Sequence, residues 1–198
     1  LESPMARTQG SRADVTGPLI RNEARRLFAR QGYAAVSMRQ IASAVGVQAG
    51  ALYAYTPDKQ ALLLDLLESH MQELLAAWSD IPGDPLTRLE HFVRFHIDTS
   101  LDHADAVFLS YMELRNLTPD NRARIAALRG EYESALESIL RDGMAAGVMR
   151  IDDPRLATMA LIAMLTGVTN WYREGGRLDR QRIGDIYWGL ARGAVGAD

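Results

Sequence analysis

A segment between residues 37 and 59 constrains the fold most, because its pattern encodes two short helices joined by a tight turn. Ser37 is a suitable N-cap, and Gln40 three residues later completes a capping box. Apolar residues at helical spacing follow, and Gly46 provides the backbone freedom for a chain reversal. A second helix is predicted from about Gln48 to Tyr55. This pattern is typical of a helix-turn-helix that enters the major groove of DNA, although the spacing also fits a helical hairpin packed on a core.

The composition of the second helix favours the DNA-reading alternative. Ala49, Gly50 and Ala51 are small and allow the backbone to approach another surface closely. Tyr53 and Tyr55 flank them with amphipathic rings. A helix that only packs against a core rarely has so small a first turn.

Charge is distributed unevenly along the 198 residues. Residues 1–60 contain 8 Arg or Lys and 4 Asp or Glu, whereas residues 61–198 contain 14 and 21. The total of −3 argues against a protein that coats nucleic acid indiscriminately. A basic N-terminal third on an acidic remainder fits a protein that presents one end to phosphates.

Several classes of protein are excluded by composition and motifs. The chain has no cysteine, so disulfides and thiolate metal sites are ruled out. There is no glycine-rich phosphate loop, no Ser-His-Asp spacing and no His/carboxylate cluster, so we expect neither an enzyme nor a metal or cofactor site. The longest uncharged stretch, residues 156–172, is shorter than the ~20 apolar residues of a membrane span. Leu1 to Pro4 are interpreted as a vector-derived remnant before a natural start at Met5, and no signal peptide follows.

Apolar periodicity predicts an all-α protein, and no strand pattern stands out. The first helix is predicted from Pro18 to Gln31, with Thr16 as its N-cap and Gly32 after its end. The other helices are predicted at about 38–45, 48–55, 59–81, 85–102, 104–116, 119–146, 156–171 and 180–194.

The eighth predicted helix is apolar on nearly every face, so several of its sides must be covered. We expect a second copy of the chain to cover one side, through a four-helix interface formed by helices eight and nine of each copy. The alternative is that helix eight is the buried central helix of a monomer. The predicted interface residues are Met159, Ala163, Met164, Gly167, Ile183, Ile186, Tyr187 and Leu190.

With this order of helices, residues 16–62 resemble the DNA-binding domain of the TetR (tetracycline-repressor-like) family of transcriptional regulators. The residues that carry the resemblance are Phe28, Gly32, Tyr33, Ser37, Ile41, Ala42, Val45, Gly46, Val47, Gly50, Leu52, Tyr53, Pro57, Lys59, Ala61 and Leu62. The resemblance implies a flexible arm over 1–15, a helix-turn-helix domain over 16–60 and an effector-binding and dimerisation domain over 61–198. Gln48 stands where Ser or Thr is usual, Ala51 where Thr is frequent, and Thr56 where an aromatic residue is common.

The resemblance also implies roles for individual residues in DNA binding. Base edges would be contacted by Arg39, Gln40, Gln48 and Ala49, with Ser37 capping the hairpin and Gly50 allowing close approach. Phosphates would be contacted by Thr16, Tyr53, Tyr55 and Lys59. Arg7 and Arg12 of the arm are predicted either to add charge in a minor groove or to remain solvated.

The C-terminal body is expected to bind a hydrophobic effector through a subset of its apolar residues, although most residues of an apolar stripe at helical spacing will be plain core. The candidate pocket residues are Trp78, Phe92, Phe95, His96, Phe108, Tyr111, Met112, Met144 and Trp171. Residues 170–178 resemble the join between the last two helices in TetR-type repressors of fatty-acid and steroid catabolism, which implies an acyl-CoA effector. Glu174 departs from that pattern, where a Pro is usual. Arg173 and Arg177 would either meet CoA phosphates or lie on the surface as solvated charges.

The sequence therefore predicts a cytoplasmic, homodimeric repressor without a cofactor. It would leave a near-palindromic operator in double-stranded DNA when a hydrophobic small molecule binds the body, an acyl-CoA being one candidate. The alternative is a helical ligand-binding or scaffold protein with little DNA binding.

Overall fold

The computed structural model describes residues 9–197, with side chains described from Val15 onward. Within that range it contains nine α-helices, two short 3₁₀ segments and no strand, which confirms the all-α prediction. The helices are α1 (Gln9–Gln31), α2 (Met38–Val45), α3 (Ala49–Leu52), α4 (Lys59–Ala77), α5 (Pro85–Asp102), α6 (Ala104–Met112), α7 (Pro119–Ala145), α8 (Pro154–Thr166) and α9 (Arg180–Ala194). The 3₁₀ segments are Leu114–Asn116 and Gly167–Asn170. No helix in the described range is long and apolar enough to cross a bilayer.

Two hydrophobic cores organise these helices. The first core surrounds Phe28, Ile41 and Leu52, and it joins α1–α3 to the first half of α4 and the start of α7. We call α1–α3 the head. The second core surrounds Phe92 and Leu136 and joins the rest of α4 to α5, α7, α8 and α9. We call α4–α9 the body. Helix α6 of the body packs both against α4 and against α1 of the head, so it forms part of the contact between body and head.

Side-chain caps fix the helix starts that position the head. Ser37 accepts a hydrogen bond from the Gln40 backbone N–H, and the Gln40 side chain accepts one from the Ser37 backbone, so the predicted capping box is formed. Gly46 follows α2 with φ of +79°, a conformation that residues with a Cβ rarely adopt. Asp58 then caps α4 by accepting from the Ala61 backbone N–H.

Five predicted boundaries were wrong. Helix α4 ends at Ala77 rather than near residue 81, and α8 ends at Thr166 rather than near Trp171 because a 3₁₀ segment follows it. Helix α1 begins at Gln9 rather than Pro18, so Thr16 lies inside the helix and does not cap it. Helix α3 contains four residues rather than eight, because the chain after Leu52 leaves helical geometry for turns. Helix α6 ends at Met112, and the predicted continuation to Asn116 is a 3₁₀ segment.

Candidate DNA-binding surface and effector cavity

The reading hairpin exposes most of the residues expected to meet DNA. Gln48 precedes α3 without a side-chain cap, and Gln48, Ala49 and Gly50 are all exposed. Tyr53 and Tyr55, which follow α3, are also exposed. The first turn of α3 therefore offers bare backbone N–H groups and small side chains, followed by two exposed tyrosines.

Two predicted DNA contacts are already engaged within the protein. The Gln40 side-chain oxygen accepts from both the backbone N–H and the hydroxyl of Ser37, each at 2.7 Å. Because reading adenine with two hydrogen bonds requires both the oxygen and the nitrogen of the amide, that mode is not available while the cap is intact. The Lys59 ammonium donates to the carbonyl oxygens of Tyr33 and Val36, at 2.9 and 2.8 Å, and lies 4.2 Å from the centre of the Tyr33 ring. Its position fixes the α1–α2 loop and leaves at most one N–H for a phosphate.

The remaining predicted DNA contacts differ in how exposed they are. Arg39 is exposed on α2 and forms no ion pair with any residue that the structure describes. Thr16 is half-buried on α1, near the Tyr55 ring that approaches Gly17. Arg7 lies outside the described residues, as does the side chain of Arg12.

A buried polar junction connects the head to the body. The Glu113 carboxylate, at the end of α6, is 4% exposed and accepts from the Tyr33 backbone N–H at 3.1 Å and from the Asn116 amide. The Gln60 amide at the start of α4 donates to the Tyr33 hydroxyl at 2.9 Å and to the Asn116 carbonyl. Thus the loop after α1 is hydrogen-bonded to the end of α6 and to the start of α4.

A cavity lies in the body between α4, α5, α6, α7 and α8. It measures about 480 Å³ including its open mouth, but only about 40 Å³ is wide enough for the centre of a water molecule. A ligand of any size must therefore widen it. Its lining residues are His70, Met71, Leu74, His96, Thr99, Ser100, Val107, Ser110, Tyr111, Arg129, Tyr132, Glu133, Ile162 and Thr166.

A chain of hydrogen bonds crosses the cavity wall. His96 Nδ1 lies 3.0 Å from the Tyr132 hydroxyl, and His96 Nε2 lies 2.9 Å from the Thr166 hydroxyl. The Tyr111 hydroxyl is 3.1 Å from the same Thr166 oxygen. Burial, with a smaller contribution from His70, lowers the pKa of His96 to about 4, so the ring is neutral at pH 7. Burial also raises the pKa of Tyr132, which therefore keeps its proton.

Arg129 brings a positive charge to the cavity. Its guanidinium carbon lies 4.8 Å from the centre of the Tyr111 ring, and its Nη1 donates to the Ser110 carbonyl at 3.4 Å. Over residues 9–197 it has no carboxylate within ion-pair distance. By contrast, Glu133 on the next turn of α7 is paired with Arg155 at 2.8 Å. Arg129 is therefore a cation whose charge is available to an anionic ligand.

Only His96 and Tyr111 of the predicted pocket residues line this cavity. Phe92 is fully buried behind it, with its ring 5.9 Å from His96 and 5.2 Å from Tyr132. The Trp78 ring contacts Phe92 edge-on and packs at a tilt against Phe95. Met144 is half-buried away from the cavity. The side chains of Phe108, Met112 and Trp171 are exposed at the surface. Neither Arg173 nor Arg177 lines the cavity.

The sequence interpretation missed the polar lining residues His70, Arg129, Tyr132 and Thr166. Their signal was a polar or charged residue inside an otherwise apolar helical stripe, as at His70 beside Met71 and at Thr166 beside Leu165. No group of three or more His, Asp or Glu side chains in the described part of the chain could hold a metal ion.

The predicted dimer residues occupy one face of α8 and α9, with one exception. Met159, Ala163, Ile186 and Leu190 are exposed, and Leu190 is 52% exposed. Met164, Gly167 and Tyr187 are half-buried. Ile183 is 1% exposed within the second core, so it packs inside the chain rather than on that face. Leu156, which was not predicted, extends the exposed apolar face.

Comparisons with known proteins agree with this architecture. The family model described as "Bacterial regulatory proteins, tetR family" matches residues 20–66, and the model "Tetracyclin repressor-like, C-terminal domain" matches residues 82–195. The HTH-type transcriptional repressor KstR2 of Mycobacterium tuberculosis is 26% identical over 174 residues, which are 85% of this chain and 87% of KstR2.

Solved structures extend the likeness to the whole fold. A tetR-family regulatory protein from Rhodococcus RHA1 has a TM-score of 0.87 at 27% identity, covering 92% of this chain and 98% of that one. AibR, solved in complex with isovaleryl coenzyme A and operator DNA, has a TM-score of 0.81 at 27% identity, covering 88% and 97%. The helix-turn-helix head, the helical body and both family matches show that the chain belongs to the TetR family of DNA-binding transcriptional regulators.

Proposed function

We propose that this protein is a cytoplasmic, homodimeric repressor that releases its operator when an anionic acyl thioester, such as an acyl-CoA, binds in the body cavity. One observation carries the proposal: α6 contributes Val107, Ser110 and Tyr111 to the cavity, while its end holds the head through Glu113. A ligand that widens the cavity must displace α6 or its neighbours. A shift of α6 acts on the Tyr33 loop through Glu113.

The charge and chemistry of the cavity support a thioester effector. Its floor is apolar on α4 and α8, with Met71, Leu74 and Ile162, and suits an acyl chain. Arg129 supplies a positive charge that attracts an anionic ligand such as an acyl-CoA. AibR, which shares this fold at 27% identity, was solved with isovaleryl coenzyme A. The relative KstR2, described in its solved structure as a ketosteroid transcriptional regulator, accords with the expected likeness to repressors of lipid catabolism.

The exposed hairpin supports the DNA-binding half of the proposal. Arg39 and Gln48 would contact base edges, and Tyr53 and Tyr55 would contact phosphates. Ala49 and Gly50 let the backbone of α3 approach the groove. Ser37, Gln40 and Lys59 would act mainly by holding the hairpin in shape, because their polar groups are bonded within the head.

The exposed apolar face of α8 and α9 supports the dimer. Leu156, Met159, Ile186 and Leu190 lie on helices that would pair with the same helices of a second copy. Two heads would then read two half-sites about 34–36 Å apart or a multiple of that distance, on a near-palindromic operator.

The test is operator binding measured with and without the effector. Fluorescence anisotropy with DNA from the region upstream of the gene gives the dissociation constant, and isovaleryl-CoA is then titrated in, with free CoA as the control. We expect the thioester to weaken DNA binding and free CoA to do so much less. The Arg129→Gln variant should bind DNA normally but need more thioester for release. Tight DNA binding that no CoA thioester changes would overturn the effector assignment, and an absence of DNA binding would overturn the function as a whole.

A further inference from the structure

Proton counting along the cavity chain shows one spare hydrogen-bond donor. Tyr132, His96, Thr166 and Tyr111 are joined by three hydrogen bonds, and with a neutral imidazole they carry four polar protons. Three protons fill the three bonds. The fourth points away from the chain at Tyr132, at Tyr111 or at Thr166, depending on which groups donate.

The end that donates depends on the direction of the chain. If Tyr111 donates to Thr166, Thr166 to His96 Nε2 and His96 Nδ1–H to Tyr132, then the Tyr132 O–H is spare. In the reverse direction the Tyr111 O–H is spare, and if Tyr132 and Tyr111 both donate inward the Thr166 O–H is spare. Tyr111 is 39% exposed and can reach water, whereas Tyr132 is 3% exposed and can donate only to a group inside the cavity. A buried acceptor on a ligand would therefore favour the first direction.

His70 adds a second polar group to the same space. No fully buried side-chain nitrogen or oxygen among the described residues lacks a partner, so the ring nitrogens of His70 are open to the cavity or to solvent. It is buried and lines the cavity, and its ring has no hydrogen-bond partner among the described side chains and backbone. Its nearest aromatic neighbour is His103, with ring centres 6.4 Å apart. Burial, followed by the charges of His103 and Arg25, lowers the pKa of His70 to about 4. His70 and His96 are therefore both uncharged at neutral pH.

These observations select the chemistry of the buried end of the ligand. A pure hydrocarbon would leave the spare Tyr132 proton and the His70 ring without partners in a desolvated site. A free carboxylate would bring a full negative charge into a cavity that already contains Glu133, beside two uncharged imidazoles. An uncharged oxygen acceptor satisfies both conditions.

We propose, resting on the proposed effector function, that the cavity recognises an uncharged carbonyl oxygen through the Tyr132 hydroxyl, which His96 and Thr166 hold in donating orientation. The carbonyl of an acyl thioester is such a group. Tyr132 is the binding residue, whereas His96 and Thr166 are positioning residues.

The test compares isovaleryl-CoA with its thioether analogue, in which a CH₂ group replaces the carbonyl. Calorimetry on the full-length protein is expected to show about tenfold weaker binding of the thioether, because the buried donor then loses its partner. Tyr132→Phe should bind both compounds equally. Tyr172→Phe, a tyrosine change outside the cavity, should keep the wild-type preference.

A spectroscopic readout separates a hydrogen bond from a general structural effect. With ¹³C at the thioester carbonyl, the infrared C=O band should move to lower frequency on binding to the wild-type protein. The shift should disappear in Tyr132→Phe, shrink in Thr166→Val and return in Thr166→Ser, which restores the hydroxyl. Equal binding of thioester and thioether by the wild-type protein, or an unchanged band in Tyr132→Phe, would overturn the inference while leaving the effector function intact. Binding of neither compound would overturn both.

Discussion

Glu113 offers the sharpest test of the junction between body and head. Its buried carboxylate is the acceptor for the Tyr33 backbone N–H and for the Asn116 amide. Replacing Glu113 with Leu leaves both donors without an acceptor, and each buried donor without an acceptor costs about 1–3 kcal/mol of folding free energy. Asn116 is half-buried and regains part of that loss from water, and removal of a buried charge returns some desolvation energy. We therefore expect Glu113→Leu to lower the free energy of unfolding by about 2–3 kcal/mol.

Glu113→Gln should cost less, about 1 kcal/mol, because its amide oxygen can still accept from Tyr33 and the Asn116 amide can rotate to match. Urea unfolding followed by circular dichroism at pH 7 measures both variants. Glu131→Leu, an exposed acidic position on α7, is the matched control and should change little. The two hydrogen bonds do not stabilise the junction as argued if the free energy of unfolding of Glu113→Leu lies within about 0.5 kcal/mol of the wild-type value. The same holds if it is no lower than the value for Glu113→Gln.

Three further predictions concern the head, the dimer face and the cavity. Ser37→Ala removes the capping box, so the free energy of unfolding should fall by about 1 kcal/mol, measured by urea unfolding, and DNA binding should weaken with it. Ile186→Glu combined with Leu190→Glu places charge on the exposed apolar face, and sedimentation velocity should show monomers in place of dimers. The buried histidines His70 and His96 have a pKa of about 4 in the folded protein and about 6.5 when unfolded. Unfolded chains therefore bind more protons below pH 6.5, and stability should fall as pH drops from 6.5 towards 4.

Matched controls exist for each of these. Ser43→Ala changes an exposed serine on α2 that caps nothing and should leave stability near that of the wild type. Val148→Glu adds a charge at an exposed apolar residue away from α8 and α9 and should leave the dimer intact. For the pH dependence, His96→Gln should flatten the decline between pH 6.5 and 4, and an unchanged slope would show that this ring does not drive it.

The helices were predictable where local signals agree. Asp84 caps a helix whose first residue is Pro85, and the predicted bounds of α5 match the structure. The same reasoning gave the wrong start for α1, because Thr16 resembles an N-cap residue and Pro18 resembles the first residue of a helix. The Gly17-Pro18 pair, which suggested a boundary, lies inside the helix, because the chain before it is already helical. Local signals identify positions where a helix can start, and the surrounding structure decides which is used.

The cavity was less predictable because its location depends on helix rotation. Size and apolarity selected Phe92 and Phe108 alike, yet the first faces the core and the second faces outward. The residues that give the cavity its chemistry, Tyr132 and Thr166, come from α7 and α8 and are 34 residues apart. Their meeting with His96 follows from packing between three helices, and no sequence spacing reports it.

The placement of α6, as a wall of the cavity and a neighbour of α1, has a quantitative consequence for regulation. Binding free energies are reciprocal, so an effector that lowers operator affinity by a given factor must itself bind the operator complex more weakly by that same factor. Protein that is not bound to DNA would then bind the effector at lower concentration than operator-bound protein does. The number of regulator molecules per operator, as well as the intrinsic affinity of the cavity, would therefore set the effector concentration at which transcription begins.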